Sequence, residues 1–136
     1  MVPRPHLPLL LIVVAIVLVA CASSGSMSRA TEVPIANFKM VAGTWSGPVT
    51  GISAQHDDWV EVVITPEGRY EFDIYRIIGV FGGNGMLTLG DGKLSLSGER
   101  GRATLTLLRA GPNRWLKGQG VLADGRLIST TLAEGK

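Results

Sequence analysis

Most of the chain after residue 43 consists of short segments in which apolar and polar positions alternate, separated by turns rich in glycine. Strict alternation is typical of β-strands that bury one face. The clearest pair covers residues 60–64 and 70–74, where the apolar positions are two residues apart. The intervening segment 65–68 reads Thr-Pro-Glu-Gly, with proline at the second position of a turn. These two segments are therefore predicted to form a β-hairpin.

The same pattern recurs along the rest of the chain and predicts eight or nine strands. The further segments are 44–50, 77–81, 86–89, 94–97, 103–109, 115–122 and 127–132. Sequential hairpins without a long crossover form an up-and-down meander, and closing that meander removes its exposed edges. We therefore predict an all-β fold over residues 35–136, a small antiparallel up-and-down β-barrel of about eight strands.

Two segments are predicted to lie outside the strands. Apolar residues three apart in 35–42 favour a short helical turn before the first strand. Residues 82–85 read Gly-Gly-Asn-Gly and favour a flexible turn, because a phosphate-binding loop would have to lead into a helix and a Met-Leu-Thr-Leu segment follows instead.

Residues 38–45 end in Gly43-Thr44-Trp45, which resembles the Gly-x-Trp start of the barrel in lipocalins, fatty-acid-binding proteins and avidins. The resemblance implies that Gly43 and Trp45 close the base of the barrel. It also implies that an arginine from a late strand lies across the tryptophan, and Arg109 and Arg126 are the candidates. The chain departs from these families as well: residues 51–58 are too short and polar for a helical lid, the Arg-x-Tyr near the C-terminus is absent, and one cysteine excludes the lipocalin disulfide.

The N-terminus has the pattern of a secretory signal over residues 1–20. Its uncharged stretch, residues 7–22, is shorter than the roughly twenty residues that cross a bilayer. The motif Leu18-Val19-Ala20-Cys21 resembles a bacterial lipobox, which implies cleavage before Cys21 and attachment of diacylglyceryl and acyl chains to it. Two or more such chains make attachment stable.

Residues 21–34 are small and polar after the cysteine and are predicted to be a flexible tether. In Gram-negative bacteria the residue after the lipidated cysteine directs sorting, and Ala22 implies the periplasmic face of the outer membrane. A Gram-positive source would instead place the protein on the outer face of the plasma membrane. The membrane, through the lipid anchor, is the first expected partner.

The net charge and the distribution of polar residues argue against several classes of function. The formal net charge of +2 and the scattered arginines give no basic patch, so no nucleic-acid partner is expected. His56-Asp57-Asp58 resembles metal ligands only superficially and is predicted to be a solvated loop, and Glu71 and Asp73 are predicted to face water. We expect no enzymatic activity, no metal and no cofactor other than the lipid on Cys21.

About twenty-four inward side chains would nearly fill an eight-stranded barrel, so we predict a packed core with any ligand at an open rim. Phe72, Phe81 and Trp115 are the candidate ligand contacts. The function predicted is a membrane-anchored, non-enzymatic binding module for a small apolar ligand or an envelope protein. The alternatives are a structural lipoprotein without a ligand and an inhibitor of a hydrolase; the oligomeric state is left open.

Overall fold

A computed structural model describes residues 27–135 and contains ten β-strands and two single 3-10 turns, Met27–Arg29 and Phe38–Met40. In chain order the strands are β1 Thr31–Val33, β2 Gly43–Thr50, β3 Asp58–Ile64, β4 Arg69–Arg76, β5 Gly79–Met86, β6 Thr88–Gly90, β7 Lys93–Gly98, β8 Gly101–Ala110, β9 Asn113–Leu122 and β10 Leu127–Glu134.

All ten strands belong to one antiparallel sheet in the order β5-β4-β3-β2-β10-β9-β8-β7-β6, with β1 added beside β8. Apart from β1, neighbours in the sheet are neighbours in the chain except where β10 returns to pair with β2. This pairing curls the meander into a nearly closed barrel, so the predicted all-β barrel is confirmed. The strand count is ten rather than about eight because β1 and β6, each three residues long, were not expected. The predicted helical turn is reduced to the 3-10 turn Phe38–Met40.

The barrel wall has one seam where hydrogen bonding is incomplete, between β5 and β7. The short strand β6 pairs with residues 93–95 of β7 and occupies that part of its free edge. Residues 96–98 of β7 pair only with β8, and β5 pairs only with β4. Where residues 96–98 of β7 have no strand partner on this side, side chains close the seam. The Arg100 guanidinium there lies 5.0 Å from the centre of the Phe81 ring.

The prediction of a flexible turn at residues 82–85 is wrong, because this glycine-rich segment forms the middle of β5. Its glycines leave room for the aromatic rings of β4. A Cβ atom on Gly83 would lie 2.8 Å from the Phe72 ring, and one on Gly85 would lie 2.9 Å from the Tyr70 hydroxyl oxygen. Cross-strand packing against β4 decides the conformation here, a non-local interaction that overrides the turn preference of glycine.

Part of the predicted tether is ordered in the sheet. Residues Thr31–Val33 form β1, which pairs with residues 107–109 of β8. The Ile35 amide then donates to the Gly92 carbonyl oxygen at 2.9 Å, which fixes the chain beneath β7. The signal sequence 1–20, Cys21 and Ala22 lie outside the described residues. Between residues 27 and 135, no helix is long and apolar enough to cross a membrane.

The core is densest at one end of the barrel, which we call the closed end. Here β2, β8, β9 and β10 present fully buried side chains, and the turn at 65–68 packs beneath the Phe38 ring. The residues that fill this end are Val41, Trp45, Leu94, Leu107, Leu116 and Leu132. The opposite end, formed by loop 51–57 and the turns at 77–78, 99–100 and 123–126, is called the open end.

Candidate functional site: an apolar cavity at the open end

A cavity of about 440 Å³ occupies the half of the barrel next to the open end. Its wall is formed by inward side chains of β2, β3, β4, β5, β7, β8, β9 and β10. The apolar side chains that line it are Val49, Ile52, Val60, Val62, Tyr70, Phe72, Ile74, Phe81, Leu96, Ala103, Leu105, Val121, Leu122, Ile128 and Leu132. Cavities that hold small molecules in proteins measure about 300–1,000 Å³, so this one is of suitable size.

The prediction of a filled core is therefore wrong for this half of the barrel. The expected number of inward positions is present, but several carry little or no side chain. Gly83, Ala103 and Gly118 all line the cavity, and Gly118 lies directly opposite Leu105 in the sheet. A Cβ atom on Gly118 would come within 2.7 Å of the Thr130 methyl group, so no larger residue fits without displacement. The Phe72 ring and the Thr130 methyl group lie where side chains at Gly83 and Gly118 would stand.

Of the three residues proposed as ligand contacts, Phe72 and Phe81 line the cavity and Trp115 does not. The two rings meet edge to face, with their centres 6.5 Å apart and their planes at 86°. Trp115 stands on the outer face of β9, because its neighbour Leu116 points inward and is fully buried. Its assignment as a ligand contact is corrected on this ground.

Polar side chains lie at the mouth of the cavity, where the turn between β7 and β8 contributes Glu99 and Arg100. The Arg100 guanidinium lies over the Phe81 ring across the seam. An apolar chamber with polar groups at one opening is suited to a ligand with an apolar body and a polar end that remains near water.

Loop 51–57 lies over one side of the mouth, and Ile52 reaches down from it into the cavity. Arg126, in the turn between β9 and β10, restrains this loop, because its guanidinium donates to the Ile52 carbonyl oxygen. Arg126 is itself oriented by Asp124, which accepts from the Arg126 side-chain Nε at 2.7 Å. The Arg126 amide also donates to this carboxylate, and that hydrogen bond is the main reason that the pKa of Asp124 is lowered.

Asp58 at the base of this loop was expected to be solvated, but it is only 4% exposed. Its carboxylate accepts a hydrogen bond from the Ser53 hydroxyl at 2.7 Å and lies 3.8 Å from Arg76 Nε and 3.4 Å from His56 Nε2. Nucleophilic catalysis needs a histidine between the serine and the carboxylate. Here the Asp58 carboxylate stands between Ser53 and His56, so the cluster ties the loop to β3 and β4 rather than activating Ser53.

The acidic residues of β3 and β4 beyond Asp58 do not face the cavity. Glu61 and Asp73 are direct cross-strand neighbours, and the alternation in β3 and β4 places them on the outer face of the barrel. Glu71 is exposed on that face as well. Among residues 27–135, no group of three or more His, Cys, Asp or Glu side chains is placed to hold a metal ion.

At the closed end, Trp45 is completely buried and its indole Nε1 donates to the Val41 carbonyl oxygen at 2.8 Å. The arginine across its ring is Arg114, with the guanidinium carbon 5.4 Å from the ring centre. Neither Arg109 nor Arg126, the two arginines expected here, occupies this place. Gly43 begins β2 two residues earlier with φ +135°, a conformation that favours glycine.

The Arg114 guanidinium contacts the Trp45 ring, the Glu134 carboxylate and the Met40 carbonyl oxygen. Its guanidinium makes a bidentate pair with Glu134, with 2.9 Å from Nε to Oε2, and it also donates to the Met40 carbonyl oxygen at 2.6 Å. The hydrogen bonds of this pair lower the pKa of Glu134 and raise that of Arg114. Counting back by two from buried Leu116 would have identified Arg114 as an inward residue at this end.

No protein-family model matches the chain, and no curated protein or solved structure is significantly similar to it.

Proposed function

We propose that the chain is a cell-envelope lipoprotein, anchored through acyl chains on Cys21, whose barrel binds a small apolar ligand without catalysing a reaction. The observation that carries the ligand-binding part is the 440 Å³ apolar cavity that opens beside Phe72 and Phe81. The anchor rests on the lipobox resemblance, and the outer membrane is proposed from Ala22.

Affinity in such a cavity comes from removing apolar surface from water. Each methylene buried contributes about 0.8 kcal/mol, which is roughly a fourfold gain in affinity. Binding of a series of straight-chain alcohols should therefore tighten about fourfold with each added methylene until the chain fills the cavity, and then stop tightening. Displacement of an environment-sensitive fluorophore from the processed protein in detergent below its critical micelle concentration measures the series.

Ala103→Phe tests whether the ligand enters the barrel. Ala103 lines the cavity, so the new ring would occupy it and weaken alcohol binding at least tenfold. The matched control is Thr104→Phe, which adds the same ring on the exposed face of the same strand. Equal affinities for the two variants, or no dependence on chain length in the parent, would refute the proposed cavity site and favour a structural module without a ligand.

The natural ligand and the anchor can be examined together by native mass spectrometry of the protein extracted from its own membrane. We expect a mass increase from acylation of Cys21 and a second, dissociable mass from a retained apolar molecule. Cys21→Ser should leave an unprocessed or unanchored chain. Normal processing and membrane attachment of this variant would contradict the proposed anchor while leaving the cavity proposal intact.

A further inference from the structure

The turn between β4 and β5 carries two adjacent isoleucines, Ile77 and Ile78, and each is 84% exposed. Tight turns are usually made by glycine, asparagine or aspartate, because these residues readily adopt the backbone angles that such turns require. At this exposure, no other part of residues 27–135 covers the two side chains. We call this pair the tip.

An apolar row follows directly behind the tip on the outer face of the barrel. Four residues on four adjacent strands lie side by side in the sheet, each the direct cross-strand partner of the next: Pro48, Trp59, Tyr75 and Val80. All four are exposed, with Trp59 at 48% and Val80 at 58%. We call these four residues the rim row. Together with the tip they form a continuous apolar surface beside the mouth of the cavity.

The next row away from the tip changes character. This row lies two residues further from the tip on the same four strands and consists of Ser46, Glu61, Asp73 and Gly82. Residues two apart on a strand are about 7 Å apart, so the order from the open end is an apolar tip, an aromatic and apolar row about 7 Å below it, and two carboxylates about 7 Å further down. Arg76 precedes the tip in the chain, but its Nε is turned towards the buried carboxylate of Asp58, 3.8 Å away.

This order of side chains matches the layers of a phospholipid surface. Apolar groups that bind at such a surface enter about 5–10 Å into it, while tryptophan and tyrosine prefer the headgroup level. The carboxylates of Glu61 and Asp73 would remain in water. A second copy of the chain fits less well, because two-fold contact of these faces would bring Glu61 and Asp73 towards their own copies.

We propose that the tip and rim row dock the open end of the barrel onto a phospholipid bilayer. This surface is separate from the cavity and does not require that the cavity be occupied. The described part of the chain enters the barrel at the closed end, where β1 pairs with the last residues of β8, so the tip lies at the opposite end of the barrel.

The test uses the processed chain in nanodiscs, mixed with vesicles of zwitterionic phosphatidylcholine and separated by flotation. Burying one isoleucine side chain favours the bound state by at least tenfold, so Ile77→Ser combined with Ile78→Ser should lower vesicle partition about 100-fold. The matched control is Val63→Ser, which removes a 41% exposed apolar residue from the same outer face beyond the carboxylates. Equal partition of the two variants would overturn the proposal.

Contact with the nanodisc's own bilayer is detected by brominated lipid, which quenches tryptophan fluorescence at short range. Trp59 should be quenched by brominated lipid in the nanodisc or in the vesicles, and Trp59→Phe assigns the quenched fraction to this side chain. Quenching from either bilayer that disappears in the tip variant supports docking. Absence of quenching from both bilayers overturns it, as does a dimer in analytical ultracentrifugation that the tip substitutions dissociate. Alcohol binding to the cavity is expected to be unchanged in the tip variant.

Discussion

Replacing Arg114 by methionine removes the charge that holds the closed end together while keeping an unbranched apolar side chain. Three interactions are lost: stacking on Trp45, the hydrogen bond to Met40 and the pair with Glu134. A cation over a buried ring contributes about 0.5–2 kcal/mol, a hydrogen bond from a charged donor about 1.5–3 kcal/mol, and a partly exposed ion pair at most about 1 kcal/mol.

These contributions are not additive, because one guanidinium makes all three contacts. We expect Arg114→Met to lower the free energy of unfolding by about 2–4 kcal/mol and Tm by roughly 8–16 °C. Urea denaturation of the processed chain, followed by circular dichroism, measures the first value. The matched control is Arg109→Met on β8, whose exposed side chain donates to the Gly111 carbonyl oxygen at 3.0 Å and does not contact Trp45. A loss below about 0.5 kcal/mol for Arg114→Met, or equal losses for both variants, would refute this account of the closed end.

The same pair gives stability a dependence on pH. Because the folded-state pKa of Glu134 is below its unfolded value of 4.5, the pair stabilises the protein above about pH 4.5. That contribution is lost as the pH falls through the lowered folded-state pKa. Glu134→Gln should therefore cost up to about 1 kcal/mol at pH 7, since the carboxylate is partly exposed, and nothing at the acid end. A cost independent of pH would contradict the pairing.

Two further variants test the walls of the cavity. Gly83→Val should destabilise the protein by about 1–3 kcal/mol in urea denaturation, because its side chain would collide with Phe72, whereas Gly90→Val on β6 meets open space and should stay within about 0.5 kcal/mol of the parent. Arg126→Ala frees the Ile52 carbonyl and should increase amide hydrogen exchange in loop 51–57 at least tenfold, without changing exchange in β3. Unchanged exchange in the loop would show that Arg126 does not restrain it.

The hairpin of residues 60–64 and 70–74 illustrates what could be predicted from local pattern. Its alternation and its turn agree with the observed hairpin, in which Val62 lies opposite Phe72. The glycine-rich segment 82–85 illustrates the opposite case. Its strand conformation depends on rings of β4 that fit over the glycines, and a local turn preference contains no information about that fit.

The candidate site was predictable only in part. Of the three candidate contacts, Phe72 and Phe81 line the cavity, while Trp115 stands on the outer face of β9. The cavity was missed because the expected filling treated inward positions as uniformly large, although Gly83, Ala103 and Gly118 are visible in the sequence. Whether such small residues coincide at one level of the barrel depends on strand register, which sequence spacing alone left open.

The sequence by itself determined the alternation of the strands, the turns between them and the lipobox-like motif at Cys21, because each depends on residues close together in the chain. Tertiary structure decided which arginine covers Trp45, where space remains inside the barrel and which apolar residues form the tip and rim row. Each of these depends on the register of strands far apart in the chain, as in the row from Pro48 to Val80. A shift of one residue would turn every side chain of a strand to the other face.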